Sequence, residues 1–342
     1  MQIYGELPKF EVWSTKFMRK IIGIGETVLD IIFRDDQPTA AIPGGSTFNA
    51  MVSLGRMTTR HFPETKVLMV SETGSDHVGD IVTSFMEENG VSSSAVTRNP
   101  GTQTHISLAF LDKDNNAGYE FYKDHANASL KEDAVGKVSF GKDDLVLFGS
   151  YFAINPKIRS FTRNLIEAAH KAGAIVFYDI NFRKNHLGDL DETFANIEEN
   201  CRLSDFVRGS SEDFGYLFGA SDPQEIYDRH ISRLCSNFIC TQGAGPVEVF
   251  TAKGHRSYPV EDYETVSTIG AGDNFNAGFL YSLLAQGIGK EDLTDISEQM
   301  WDKIVSTAGK FSENVCKSIH NYVDKDFDIL SNLYHNSLHY SL

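Results

Sequence analysis

Two runs of small residues, far apart in the chain, constrain the fold most: "IPGGSTFNAMVSLGR" at 42–56 and "TIGAGDNFNAGF" at 268–279. Each strips side chains away immediately before a stretch with helical periodicity. In the second, Phe275, Phe279, Leu280, Leu283 and Leu284 share one helical face, and Gly287 stands where a glycine ends a helix. Gly270-Ala271-Gly272-Asp273 therefore occupies a predicted helix N-terminus. Such an end presents unpaired N–H groups and the positive pole of the helix dipole, so it attracts anions. Gly270 and Gly272 let a bulky anion such as phosphate reach the backbone without meeting a Cβ. Asp273 would repel that phosphate as a ligand, but beside it a carboxylate can take the proton of an attacking hydroxyl. The competing expectation is an N-cap aspartate behind a tight turn.

The first run repeats the pattern. Gly44 and Gly45 precede a helix over 47–57, Ser46 is its expected N-cap, and Asn49 falls in its first turn. Upstream, Asp30 is expected to end the first strand. Asp30 and Asn49 offer acceptors and donors to a polyhydroxylated ligand; capping and turn chemistry is the alternative for each.

Between these runs, apolar β-branched stretches alternate with helical ones. Strands are expected at 20–33, 66–73, 144–150, 173–181 and 236–243, and helices at 78–90 and 158–173. A β-then-α alternation implies a mostly parallel sheet with helices on both faces. One region breaks it: "THISLAFLDKDNNAGYEFYK" (104–123) alternates around "DKDNNAG" and reads as a β-hairpin. Paired with strand material near 31–42, it makes a small sheet, either a plain surface feature or a lid over the carboxyl edge of the main sheet.

Composition excludes several classes. Lys plus Arg number 31 against 47 acids, a formal charge of −16, which disfavours nucleic acid and anionic membrane as partners. No apolar run approaches the length of a bilayer span. Cys201, Cys235, Cys240 and Cys316 form no CxxC pair and no zinc site, so reduced buried thiols and a cytoplasmic location are expected. Residues 1–17 lack a signal-peptide block and read as a leader, disordered or mis-started, before a single domain at 18–325. Residues 326–342 are an unassigned tail.

The two glycine runs, taken with their neighbours, resemble the two signatures of the PfkB, or ribokinase-like, carbohydrate kinases, over roughly residues 20–320. "GIGETVLDI" resembles that family's first strand with its sugar-binding Asp, and "ETGSDHVGD" (72–80) its G-x-D-x-x-G segment. "YDINFRKN" (178–185) resembles its D-x-N-x-R strand end, and "FICTQGAGPVEVF" (238–250) its nucleotide-side strand and turn. The resemblance implies a three-layer α/β/α sandwich with a mostly parallel central sheet and a small β-sheet lid. It implies an enzyme that transfers the γ-phosphate of ATP, with Mg²⁺ held largely by phosphate oxygens and water.

Residue by residue, the resemblance gives Asp273 the role of general base and the N–H groups of Ala271, Gly272 and Asp273, behind Gly270, that of an anion hole. Asp30, Gly44, Gly45 and Asn49 would hold the sugar. Arg183 would meet phosphate oxygens, Asn181 the phosphate–metal side, and Thr241, Gly243 and Gly245 would border the nucleotide. The family's second signature commonly begins Asp-Thr where this chain has Ser267-Thr268, which leaves activation by a monovalent cation open. Its N-x-x-E motif reads "GSSE" at 209–212, keeping Glu212 for hydrated Mg²⁺ without the Asn. "YEFYKDHANASL" (119–130) resembles fructokinases and 2-keto-3-deoxygluconate kinases, with Lys123 as the basic residue at the substrate or as a solvated hairpin lysine. A fructose-like ketose or keto-sugar acid is thus the expected acceptor, ahead of ribose or a nucleoside, and the lid invites a homodimer. Two other classes compete: a dinucleotide-dependent oxidoreductase, although "GIGETVLD" lacks the full G-x-G-x-x-G, and a non-catalytic sugar-binding regulator.

Overall fold

A computed structural model describes residues 19–111, 117–122 and 138–329. The chain starts with β1 (Lys20–Ile24), β2 (Val28–Arg34), β3 (Gln37–Gly44), α1 (Ser46–His61), β4 (Lys66–Gly74) and α2 (His77–Glu88). It continues through β5 (Val91–Ser92), β6 (Val96–Asn99), β7 (Ile106–Leu111), β8 (Ala117–Tyr122), β9 (Leu145–Gly149), α3 (Ser150–Ile154) and α4 (Arg159–Lys171). Next come β10 (Ile175–Asp179), α5 (Leu190–Leu203), β11 (Phe206–Ser210), α6 (Ser211–Phe218) and α7 (Pro223–Ile226). The last elements are β12 (Phe238–Gln242), β13 (Gly245–Thr251), β14 (Gly254–Tyr258), α8 (Ala271–Ala285) and α9 (Glu298–Cys316).

The main sheet runs β14-β13-β12-β11-β10-β9-β1-β4-β5, with β6 beside β4; β5 to β12 are parallel along it, and β13 and β14 close one end antiparallel. All five residues of β9 and of β10 are buried, as expected for parallel strands covered on both faces. Alternate side chains feed two cores. Leu145, Leu147, Ile175 and Phe177 join α1, α8 and α9 on one face; Val146, Phe148, Val176 and Tyr178 join α4, α5 and α6 on the other. This is the expected three-layer α/β/α sandwich. From β1 the chain moves to β4 on one side and later to β9 on the other, so the carboxyl end of β1 is a topological switch point, where open α/β sheets bind ligands.

A separate four-stranded sheet, β3-β2-β7-β8, contains the anticipated hairpin, β7 pairing antiparallel with β8. It also corrects the reading of Asp30, which lies inside β2 rather than ending the first strand: β1 stops at Ile24, and the chain turns at Gly25 before entering the small sheet. The α8 reading changes too. Residues 273–283 are buried on every face, because α8 is enclosed by the sheet, α1 and α9, and Gly278 lets the α9 backbone approach at Ala308. A one-sided stripe belongs to a surface helix; this one is central. Gly287 does end it, at φ 67°, with its N–H and that of Ile288 returning to Leu284 and Leu283.

All four cysteines are buried and free. Part of the unassigned tail is built into the core: Phe327 and Ile329 pack there beside Val323, and Arg56 and Arg60 donate to the carbonyls of Val323 and Phe327 at 2.5 and 2.9 Å. The leader and residues 330–342 lie outside the described residues.

Candidate active site

The N-termini of α1 and α8 meet at the carboxyl edge of the main sheet. Each follows a glycine with positive φ, Gly45 at 124° and Gly270 at 78°, so neither helix has a capping side chain. Ser46 is the first helical residue, not the cap; its hydroxyl lies near enough to Asp273 to favour the ionised carboxylate. A Cβ on Gly44 would collide with the Asp30 carboxylate and one on Gly45 with the Glu26 carbonyl, which is why this turn is bare.

Asp273 occupies the third position of α8, 9% exposed, and its Oδ2 accepts from Asn49 Nδ2 at 2.9 Å. It does not cap its own helix. Of the three N–H groups expected to face an anion, Ala271's is taken by the Thr268 carbonyl at 3.2 Å. Those of Gly272 and Asp273 have no intrahelical acceptor, by helical geometry. Burial pushes the Asp273 carboxyl up to about 6; Asp179 adds to the rise, while Asn49, Ser46 and Arg183 oppose it. Burial also pushes Asp30 up to about 6, against a hydrogen bond donated by Ser107, its register partner on β7. Asn49 Oδ1 is buried without a partner, on the side where Gly44 and Asp30 lie.

Beneath these residues the strand ends β10, β11 and β12 build a polar floor. Arg208 on β11, 6% exposed, donates from Nη1 to Asp179 Oδ1 at 3.1 Å and from Nη2 to Thr241 Oγ1 at 2.6 Å. Asn276 Nδ2 donates to Asp179 Oδ2 at 2.8 Å. The sequence does not single out Asp179, Arg208 or Asn276. Asp179 stands inside the "YDINFRKN" segment, whereas a five-residue strand with an arginine at its centre gives no apolar signal.

Other residues fall at varied distances from this floor. Asn181, at φ 38°, donates to Ser150 Oγ at 2.7 Å, and Arg183 is exposed within electrostatic reach of Asp273. Gly243 makes the turn from β12 to β13 at φ 62°, and Gly245 opens β13. Glu212 is not brought to the site: it is exposed and accepts from Tyr216 at 2.9 Å. Ser210 and Asp213 face inward in its place. They form the capping box of α6, and Asp213 is buried beside Asp179 and Arg208, its carboxyl pushed up mainly by burial. The S-x-x-D spacing is readable in "SSED", one residue later than "GSSE". Lys123 lies outside the described residues.

This arrangement can hold a polyhydroxylated ligand at Asp30 and Asn49, an anion at the start of α8, and a carboxylate between them.

A model of the pfkB family of carbohydrate kinases matches residues 18–297. Among curated relatives, a fructokinase of Rhizobium leguminosarum bv. trifolii is 24% identical over 286 residues, covering 82% of this chain and 84% of its own. An aminoimidazole riboside kinase of Salmonella typhimurium is 24% identical over 270 residues, covering 78% and 82%. Among solved structures, a fructokinase double mutant of Vibrio cholerae O395, with fructose, ADP and potassium ion bound, superposes with a TM-score of 0.78. It shares 21% identity and covers 93% of this chain and 98% of its own. A fructokinase of Xylella fastidiosa with bound ATP gives 0.77 at 22% identity, covering 94% and 100%. The structural likenesses show the ribokinase-like fold, and the family match shows the activity class. The chain belongs to the pfkB family of carbohydrate kinases, phosphotransferases with an alcohol group as acceptor.

Proposed function

We propose that the protein transfers the γ-phosphate of MgATP to a hydroxyl of a small sugar, with Asp273 as general base. The observation that carries this reading is the Asn49–Asp273 hydrogen bond of 2.9 Å, which joins the sugar-side turn to the phosphate-side turn. A hydroxyl held by Asp30 and Asn49 lies next to Asp273, and the phosphoryl group it attacks lies against the N–H groups of Gly272 and Asp273. Asn49 Nδ2 orients the carboxylate, so that its other oxygen is directed to the incoming hydroxyl. Asn49 Oδ1 and Asp30 are acceptors that a sugar satisfies with its own hydroxyl donors, and a fructose-like ketose is the first acceptor in this reading. A keto-sugar acid is the second acceptor in this reading, and a riboside the third, as in the riboside kinase relative.

The described residues contain no cluster of three or more His, Cys, Asp or Glu side chains able to hold a metal. In this reading Mg²⁺ arrives with the triphosphate, bound by phosphate oxygens and water, where it would neutralise charge on the transferred group. The small sheet, bearing Asp30 and Ser107 on neighbouring strands, acts as the lid that excludes water.

Two measurements follow. MgATP should raise the melting temperature through ligand linkage and NADH should not; a shift with NADH alone would overturn the reading in favour of an oxidoreductase. The pH dependence should run in opposite directions for rate and stability. A base must be ionised, so kcat should fall as pH drops through about 6, the value to which burial pushes Asp273. For stability the folded-state values of Asp30 and Asp273 lie above the ordinary carboxylate range, so the folded protein binds these protons more tightly than the unfolded chain. Their unfavourable contribution is full above about 6 and is relieved as pH falls towards 4. These two carboxylates should therefore push the melting temperature up between pH 7 and 5 while turnover declines, against His61 and His230, which burial holds neutral and which act the opposite way. A pH–stability profile of the parent identical in slope to that of Asp273→Asn would show that Asp273 is not buried in its charged form at neutral pH.

A further inference from the structure

Arg208 carries a full charge in the interior, where its Nε has no hydrogen-bond partner. Its guanidinium lies against the first turn of α8: a Cβ on Gly272 would be 2.9 Å from both Nη1 and Nη2. Gly272 therefore does more than admit an anion, since its missing side chain is what lets the arginine approach. A cation at a helix N-terminus opposes the helix dipole, and a buried one carries a desolvation cost. The Asp179 pair alone does not account for this placement, because it offsets the desolvation cost and leaves the opposition to the helix dipole in place.

The charges around it do account for it. Asp179 of β10 pairs with the guanidinium, and Asp213 of α6 and Asp273 of α8 lie within electrostatic reach of it; Thr241 of β12 accepts from it, and the Phe275 ring lies 5.9 Å away. Without Arg208, a phosphoryl group reaching Gly272 and Asp273 would meet three carboxylates and no buried counter-charge among the described residues. Arg183 is exposed, out at the rim.

We propose that Arg208 is the positioning cation of the phosphoryl-transfer site: pinned beneath Gly272 by Asp179 and Thr241, it keeps the N-terminus of α8 receptive to the triphosphate. The inference rests on the kinase reading above. Arg208 touches neither substrate; it acts through the field at the helix end.

Two substitutions separate charge from architecture. Arg208→Gln keeps a donor for Asp179 and removes the charge, whereas Arg208→Lys keeps the charge and loses the forked geometry. ATP and fructose affinities are measured by calorimetry, with turnover and melting temperature alongside. Arg208→Gln should weaken ATP binding about 10-fold or more and lower kcat about 10²-fold, leaving fructose affinity within about 2-fold. Arg208→Lys should stay within about 5-fold of the parent for ATP. The reverse order, or an equal loss of fructose and ATP affinity, would make Arg208 a structural residue and overturn the proposal. Should Arg208→Gln not fold, Arg208→Lys decides alone: a loss of ATP affinity above about 10-fold at an unchanged melting temperature refutes the charge role. If the parent protein phosphorylates no sugar, the kinase reading has failed, and the calorimetric ATP comparison still judges Arg208 separately.

Discussion

Asp273→Asn is expected to lower kcat by about 10²–10⁴-fold, the usual worth of a general base, and to leave ATP affinity unchanged or slightly tighter. Asparagine keeps the size of the side chain and can still accept from Asn49 through its amide oxygen. It cannot take a proton. ATP affinity holds because a negative charge beside the phosphates has gone while the backbone N–H groups at positions 272 and 273 stay in place. The same substitution should stabilise the fold. Burial has pushed the Asp273 carboxyl up to about 6, so at pH 7 the charged form sits in a site that disfavours it. Removing that charge should be worth about 1–3 kcal/mol, read as a higher melting temperature. An inactive but more stable variant is what a strained catalytic carboxylate produces. A variant with normal turnover would reduce Asp273 to a structural partner of Asn49.

Gly272→Val should act through a different route and lose more. Its Cβ would lie 2.9 Å from the Arg208 guanidinium nitrogens, closer than packed atoms sit. The end of an exposed arginine would swing aside, but this one is buried and held at Asp179 and Thr241. Displacing it breaks both bonds and leaves Asp179 as a buried charge without its arginine. Loss of a buried pair typically costs about 3–5 kcal/mol, so the melting temperature should fall sharply. Nucleotide binding and turnover should both be lost, unlike the turnover-only defect of Asp273→Asn. Scanning calorimetry with isothermal titration of MgATP checks this. A Gly272→Val variant as stable as the parent would mean that Arg208 has room to move and that the glycine serves the ligand alone.

The glycine runs are the most legible part of the molecule, because a bare helix N-terminus leaves the same trace in sequence as in structure. Strand alternation likewise places β4, β9, β10, β12 and the β7–β8 hairpin. What escapes such reading has physical reasons. Strand β11 is short and carries Arg208 at its centre, and nothing in a linear pattern says that Asp179 and Thr241 will flank it. The capping box of α6 shifts the acidic position by one residue, so Glu212, chosen by position in the motif, points outward, and Asp213 points in. Asp30 attaches to the wrong strand because "KIIGIGETVLDIIF" reads as one apolar run, and only the turn at Gly25 divides it. Asp273 offers two readings, cap or base, between which sequence alone does not choose. Its position three residues past a left-handed Gly270, with its carboxylate on Asn49 rather than on its own helix, favours the base.

The central claim is that a sugar hydroxyl, activated at Asp273, receives the phosphoryl group of ATP. The direct measurement is ADP formation by the unaltered protein with MgATP and fructose, other neutral ketoses, keto-sugar acids, ribose or nucleosides, each beside a control without acceptor. The expected result is ADP release that depends on one acceptor, fructose or a close ketose first, with kcat/KM of about 10⁴ M⁻¹s⁻¹ or more. A folded protein that binds MgATP, yet forms ADP no faster with any of these acceptors than with water alone, would contradict it.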